Sequence, residues 1–220
     1  MKKVFVWISV GLNAVVLAGV GYVALGSPFR DWVHPFLTES STSFFSAYPI
    51  QAGDVVFVGD SITAGAQWNE LFPDVRVRNR GIGGDRTEDI LARFDPLTAG
   101  PASRVFLKIG TNDLGAGIDE ATILENYEKI LDRFEREAPS TTVYVQSVLP
   151  RAASYRRLVE SLNAEIEALA AARGVEFIDL YPAFLADDGS IRDALSYDEL
   201  HLTGEGYRLW QEQLAPYVRG

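Results

Sequence analysis

The sequence predicts one α/β domain, a parallel sheet of five strands with helices on both faces, behind an apolar N-terminal segment. Three observations predict it. From residue 54 onward, short β-branched runs alternate with helical stretches, the pattern of repeated βαβ units. Polar, glycine-rich motifs follow the ends of those runs, where ligands bind in such sheets. Ahead of all this lies a single long run without a charged residue.

That run extends from Val4 to Leu25, with Asn13 its only strongly polar member. As a helix it would be about 33 Å long, enough for a hydrocarbon core of about 30 Å. Lys2 and Lys3 precede it, and Arg30 and Asp31 follow. By the positive-inside rule the N-terminus stays in the cytoplasm and everything after residue 26 is exported. Two readings stand: an uncleaved anchor, which the length favours, or a secretory signal cut after Ala24-Leu25-Gly26. Residues 1–26 are thus an anchor or signal segment and residues 4–25 the membrane contact. Residues 27–52 read as a tether with Pro28, Pro35, Pro49 and a Ser/Thr cluster from Thr38 to Ser43. Its Trp32, Phe36, Phe44 and Phe45 suit either the membrane interface, slightly favoured, or packing on the domain. His34 has no nearby catalytic partner in sequence and reads as a tether or interfacial residue.

Residues 53–220 form the domain. Strand-like runs fall at Val55–Val58, Val75–Val77, Val105–Ile109, Thr142–Gln146 and Val175–Ile178. Helical stretches fall at Thr87–Phe94, Glu120–Glu137, Tyr155–Arg173 and Gly204–Val218, and in the third Leu158, Leu162, Ile166 and Leu169 mark one apolar face. The first strand ends in Gly59-Asp60-Ser61, the second in Asn79-Arg80-Gly81-Ile82-Gly83-Gly84-Asp85, the third in Gly110-Thr111-Asn112-Asp113. Asp198 and His201 follow the last strand, so all four motifs converge on one edge.

Composition removes several chemistries. There is no cysteine, which excludes thiol catalysis, disulfides and cysteine metal sites, and two histidines make a zinc centre a poor fit. A formal net charge of −10 argues against nucleic acid and anionic membrane surfaces as partners. What remains is a nucleophilic hydrolase set: Ser61, His201 and Asp198. A serine hydroxyl needs a base, and an imidazole with a reference pKa near 6.5 can accept its proton at neutral pH. A carboxylate three residues away can fix the imidazole tautomer. An oxyanion would find donors in the Ser61 backbone N–H, a backbone N–H of the glycine loop and the Asn112 amide.

Each motif alone has a plainer reading. Gly-Asp-Ser suits a turn with a helix cap, Asn112 a helix cap, and Asp198 with His201 a surface pair. The glycine loop does not match the dinucleotide spacing G-x-G-x-x-G. Asp60, Asp85 and Asp113 read as loop-holding hydrogen-bond acceptors rather than reacting groups. Asp187-Asp188-Gly189 lacks the spaced ligands of a calcium loop. Four coincidences at four strand ends outweigh the single alternatives.

With these blocks in order, residues 53–219 resemble the SGNH hydrolase, or GDSL esterase/lipase, family. The resemblance implies Ser61 as nucleophile, Gly84 as the oxyanion-hole glycine, Asn112 as the amide donor, and Asp198 and His201 as triad partners. It implies a flavodoxin-like three-layer α/β/α fold and neither metal nor organic cofactor. The wording Asn-Arg-Gly-Ile-Gly-Gly-Asp and Leu-His-Leu-Thr-Gly-Glu-Gly-Tyr is similar to the platelet-activating-factor acetylhydrolase-like branch, which favours short, often acetyl, groups. The expectation is a serine esterase acting through an acyl-enzyme on an acetylated glycan, a lysophospholipid or a small ester. An O-acyltransferase with the same triad and a non-catalytic binding domain for acylated glycan or lipid stand as alternatives.

Overall fold

The computed structural model describes residues 29–220. The apolar run Val4–Leu25, with its anchor and signal readings, lies outside the described residues. Among those that are described, no helix is long and apolar enough to cross a membrane. Two compact units divide the chain at residue 40, and the fold below belongs to Ser41–Gly220.

Five parallel strands, β1 (Val55–Gly59), β2 (Val77–Gly81), β3 (Arg104–Lys108), β4 (Thr142–Gln146) and β5 (Glu176–Ile178), pair in the order β2-β1-β3-β4-β5. This is the doubly wound order of flavodoxin-like folds, with its switch point beside β1. Alternation along the strands splits the core into two layers. Val56, Val58, Val105, Leu107 and Val145 face one way, against Ile90, Phe94 and the helices Glu120–Glu137 and Arg156–Ala172. Val55, Phe57 and Phe106 face the other way, against Trp68, Phe72 and the helix Gly204–Arg219. Strand β1 is buried at every position, as expected of a strand covered on both faces.

The flanking helices follow from spacing and caps. Asp119 accepts a hydrogen bond from Thr122 N at 2.9 Å and starts the Glu120–Glu137 helix, which buries Ile123, Tyr127, Ile130, Leu131 and Phe134. Thr203 caps the Gly204–Arg219 helix by accepting from Gly206 N at 3.2 Å. That helix sets Trp210 wholly inside, and its Nε1 donates to Gln146 Oε1 of β4 at 2.8 Å.

Three sequence-based expectations need correction. Strand two is Val77–Gly81, not Val75–Val77. Its polar residues are satisfied by tertiary partners: Arg78 Nε meets Asp54 Oδ2 at 2.7 Å, Arg80 Nη2 donates to Tyr48 O at 2.7 Å, and the Arg80 guanidinium lies 4.5 Å from the Phe45 ring centre. The buried face of Arg156–Ala172 is Val159, Leu162, Ile166 and Ala170, whereas Leu158 is exposed. Asn163 sets this rotation by clamping Val148 N and Val148 O at 2.8 and 2.9 Å. Finally, the stretch read as a tether contains a helix, His34–Ala47. Beyond Ser41, Phe45 and Ile50 are buried on the domain, while Phe44 is exposed.

Candidate active site

Each strand end delivers its motif for a local reason. Gly59, the last residue of β1, approaches the Lys108 carbonyl and Thr63 so closely that a Cβ there would overlap them. The chain then turns into the short helix Ser61–Ala64, capped by Asp60, whose Oδ1 accepts from Ile62 N at 2.9 Å. Ser61 is thereby held at the first helical position, partly open to solvent. Beneath it the Asp60 carboxylate is wholly buried, 3.8 Å from the buried Lys108 Nζ. Burial pushes the Lys108 ammonium pKa down, and the Asp60 charge opposes that push.

The partners arrive from the far end of the chain. Ser61 Oγ lies 2.9 Å from His201 Nε2, and His201 Nδ1 lies 2.7 Å from Asp198 Oδ2. An ionised carboxylate cannot donate, so Nδ1 carries the proton and Nε2 faces the serine as an acceptor. Asp198 Oδ1 also accepts from His201 N at 2.7 Å and Leu200 N at 3.1 Å. Partial burial pushes the Asp198 carboxyl up, but the bonds from His201 and Leu200 outweigh it and hold the pKa below the ordinary carboxylate range. The tight Asp198–His201 turn places Glu199 at φ +61°, the left-handed region, and Ser196 Oγ closes it by donating to His201 O at 2.8 Å and accepting from Leu200 N at 3.0 Å. An exposed tyrosine, Tyr197, stacks on the imidazole with ring centres 6.0 Å apart.

The loops after β2 and β3 are tied together. Gly84 sits at φ +85° in the turn closed by Asp85 N donating to Ile82 O at 3.2 Å, a conformation that favours glycine. Asn112 Nδ2 donates to Asp85 O at 2.9 Å, so the amide is fixed against the glycine loop. Asp85 is buried and receives Arg93 Nε at 2.6 Å, and Arg93 Nη2 donates to Arg80 O at 2.7 Å. Asp113 accepts from Thr87 Oγ1 at 2.6 Å and from Thr87 N at 3.1 Å. Burial pushes the Asp113 carboxyl up, against the pull of the Thr87 bonds. Asp60, Asp85 and Asp113 therefore hold loops.

The structure thus brings Ser61, His201 and Asp198 into one hydrogen-bonded chain, and it ties Asn112 to the loop that carries Gly84. Sequence reasoning missed the supports: Arg93 on Asp85, Thr87 on Asp113, Tyr207 OH donating to Ile62 O at 2.9 Å, and Arg151 at the end of β4. Only Tyr207 carried a signal, as the last residue of the Leu200–Tyr207 block. A cavity of about 690 Å³ opens elsewhere, among Leu131, Phe134, Thr142 and Glu176 at the amino ends of β4 and β5. It lies at the opposite edge of the sheet from this chemistry.

A family model for GDSL-like lipases and acylhydrolases matches residues 57–209. Platelet-activating factor acetylhydrolase IB subunit alpha1 of Bos taurus is 32% identical over 167 residues, covering 70% of each chain. The alpha2 subunit of Rattus norvegicus is 32% identical over 166 residues, covering 70% of this chain and 71% of its own. Among solved structures, a GDSL-like lipase from Bacteroides thetaiotaomicron superposes with a TM-score of 0.72 at 25% identity, covering 83% of this chain and 97% of that one. A platelet activating factor structure from Streptococcus pneumonia superposes with a TM-score of 0.81 at 25% identity, covering 89% of this chain and 99% of that one.

Proposed function

Because the chain belongs to the GDSL-like lipase/acylhydrolase family and is an esterase-type hydrolase, we propose that it hydrolyses short-chain acyl esters, acetyl foremost, through Ser61, His201 and Asp198. One observation carries this reading: the unbroken relay from Ser61 Oγ through the imidazole to Asp198. Ser61 attacks the ester carbonyl as His201 Nε2 takes its proton, and Asp198 stabilises the imidazolium that results. The tetrahedral oxyanion is met by Ser61 N–H, Gly84 N–H and Asn112 Nδ2. The imidazolium then protonates the leaving alkoxide, an acyl-Ser61 remains, and a water activated by His201 releases the acid. No residue in this sequence of steps needs a metal or organic cofactor.

Acetyl selectivity rests on the acetylhydrolase relatives, and the substrate class extends to acetylated glycans, lysophospholipids and small esters. Turnover of p-nitrophenyl acetate, butyrate and octanoate is the test. A kcat/KM that falls with chain length supports the reading; a rise toward octanoate overturns the short-chain part. Product analysis with sugar acceptors present separates hydrolysis from acyl transfer. We further place the domain outside the cytoplasm, on the strength of the Lys2-Lys3 start and the uncharged run Val4–Leu25. Protease added to intact cells should then cleave the domain, and full protection would refute the placement.

A further inference from the structure

Four strand ends supply the proposed reacting groups; the loop after the fifth, β4, supplies a cation with no part in the steps above. Arg151 is half-buried and held at three points. Its Nη1 donates to Thr111 O at 3.0 Å and lies 3.4 Å from Thr111 Oγ1. Its guanidinium lies 3.8 Å from the Tyr155 ring centre, and its own carbonyl accepts Ile191 N at 3.1 Å. Thr111 directly precedes Asn112 in the short helix Thr111–Gly115, so Arg151 is fastened to the element that carries the amide assigned to the oxyanion, and it feels the charge of Asp198.

What it lacks is a carboxylate at ion-pair distance. Arg133, Arg136, Arg156, Arg173, Arg208 and Arg219 have a carboxylate within ion-pair distance, whereas Arg80, covered by Phe45 and bonded to Tyr48 O, and the surface residues Arg157 and Arg192 have none among the described residues. Among the described residues Arg151 has none, in a chain of net charge −10. Its Nε is buried without a hydrogen-bond partner, and Nη2 makes no hydrogen bond to a described residue. Burial pushes its pKa down, with Tyr155 and Asp198 opposing, so the charge is retained at a desolvation cost. With Nη1 committed to Thr111, the guanidinium keeps hydrogen-bonding capacity at Nη2 and at the unpartnered Nε, and a carboxylate or phosphate is the chemistry that satisfies such donors.

We propose that Arg151 forms an anion subsite beside the reacting centre and that the natural substrate is an ester bearing a carboxylate or phosphate. This rests on the esterase reading above. A merely structural Arg151 would brace Thr111 and affect every ester alike, so the readout is a ratio. The substrates are phenyl acetate, 3-acetoxybenzoate (carboxylate on the leaving group), 3-acetoxyphenyl phosphate (phosphate on the leaving group) and phenyl hemisuccinate (carboxylate on the acyl group). Wild type should favour at least one anionic ester by about tenfold or more in kcat/KM, chiefly through KM, and added salt should erode the preference. In Arg151→Met the anionic-to-neutral ratio should collapse toward one, and Arg151→Lys should restore part of it. Which ester is favoured identifies carboxylate or phosphate as the ligand.

A wild-type ratio near one with phenyl acetate turned over, or an unchanged ratio in Arg151→Met, overturns the subsite and leaves the esterase intact. If no ester is turned over, the esterase reading falls, and calorimetry with benzoate and phenyl phosphate then decides the subsite alone. Saturable binding lost in Arg151→Met supports it; equal or absent binding in both proteins overturns it.

Discussion

Replacing Asn112 probes the oxyanion assignment on two scales. Its side-chain nitrogen carries two hydrogens, and one is committed to Asp85 O at 2.9 Å. The second is the candidate donor to the oxyanion. Removing one preorganised donor costs about 10²–10³ in kcat, or about 2.7–4 kcal/mol. Losing the bond to Asp85 O costs about 1 kcal/mol of stability, roughly 2–4 °C in Tm for a domain of this size. Asn112→Ala should therefore lower kcat by about 10²–10³ with KM little changed, and Tm by only a few degrees. Asn112→Asp keeps the shape but turns an acceptor toward both the Asp85 carbonyl and the developing oxyanion. It should fall below the alanine variant in both measures. Steady-state turnover of p-nitrophenyl acetate at pH 8 and calorimetric melting read the two scales. An aspartate variant as active as the alanine variant, or an alanine variant within about threefold of wild type, would refute the assignment.

Other perturbations bear on the supports. Asp198→Asn should cost about 10²–10⁴ in kcat, because the imidazole loses the partner that fixes its tautomer. The folded-state pKa of Asp198 lies below 3.8, so its stabilising contribution is present above that value and lost as pH falls through the folded pKa. Urea unfolding should show the stability gap between wild type and Asp198→Asn shrinking as pH falls below about pH 4; a gap that keeps growing below about pH 4 counts against this. Arg93→Met removes the cation on buried Asp85 and should destabilise by about 3–5 kcal/mol, with part recovered in the double variant with Asp85→Asn. A fully additive double variant would show that the two groups do not depend on each other. Trp210→Ala should cost about 3–5 kcal/mol in urea unfolding through cavity formation, and a loss under about 1 kcal/mol would contradict its burial between sheet and helix.

The alternation of runs sufficed for the α/β class and the helix Glu120–Glu137, because periodicity and caps are local properties. Strand β2 was legible only in part. Arg78, Asn79 and Arg80 look like loop residues until Asp54, Tyr48 and Phe45, all distant in sequence, neutralise or cover them. The helix His34–Ala47 was hidden by its Ser/Thr cluster and Pro35, residue types that favour caps and turns, and it continues directly from the π-helical turn Phe29–Val33. Leu158 was misread because four-residue spacing fits more than one helix face, and Asn163, a polar residue, decides the rotation. At the site, residues that react come in short motifs and could be named. Residues that support them, such as Arg93, Thr87 and Arg151, act through backbone carbonyls or single partners 8 to 40 positions away and leave no pattern.

The central claim is that Ser61 is the nucleophile. It is tested most directly by intact-protein mass spectrometry of wild type and Ser61→Ala, quenched during p-nitrophenyl acetate turnover, beside their steady-state rates and circular dichroism. An acetyl adduct on wild type at Ser61, absent from a folded Ser61→Ala that has lost about 10⁴-fold or more in kcat, is the predicted result. A folded Ser61→Ala that turns over the ester at the wild-type rate would contradict the account.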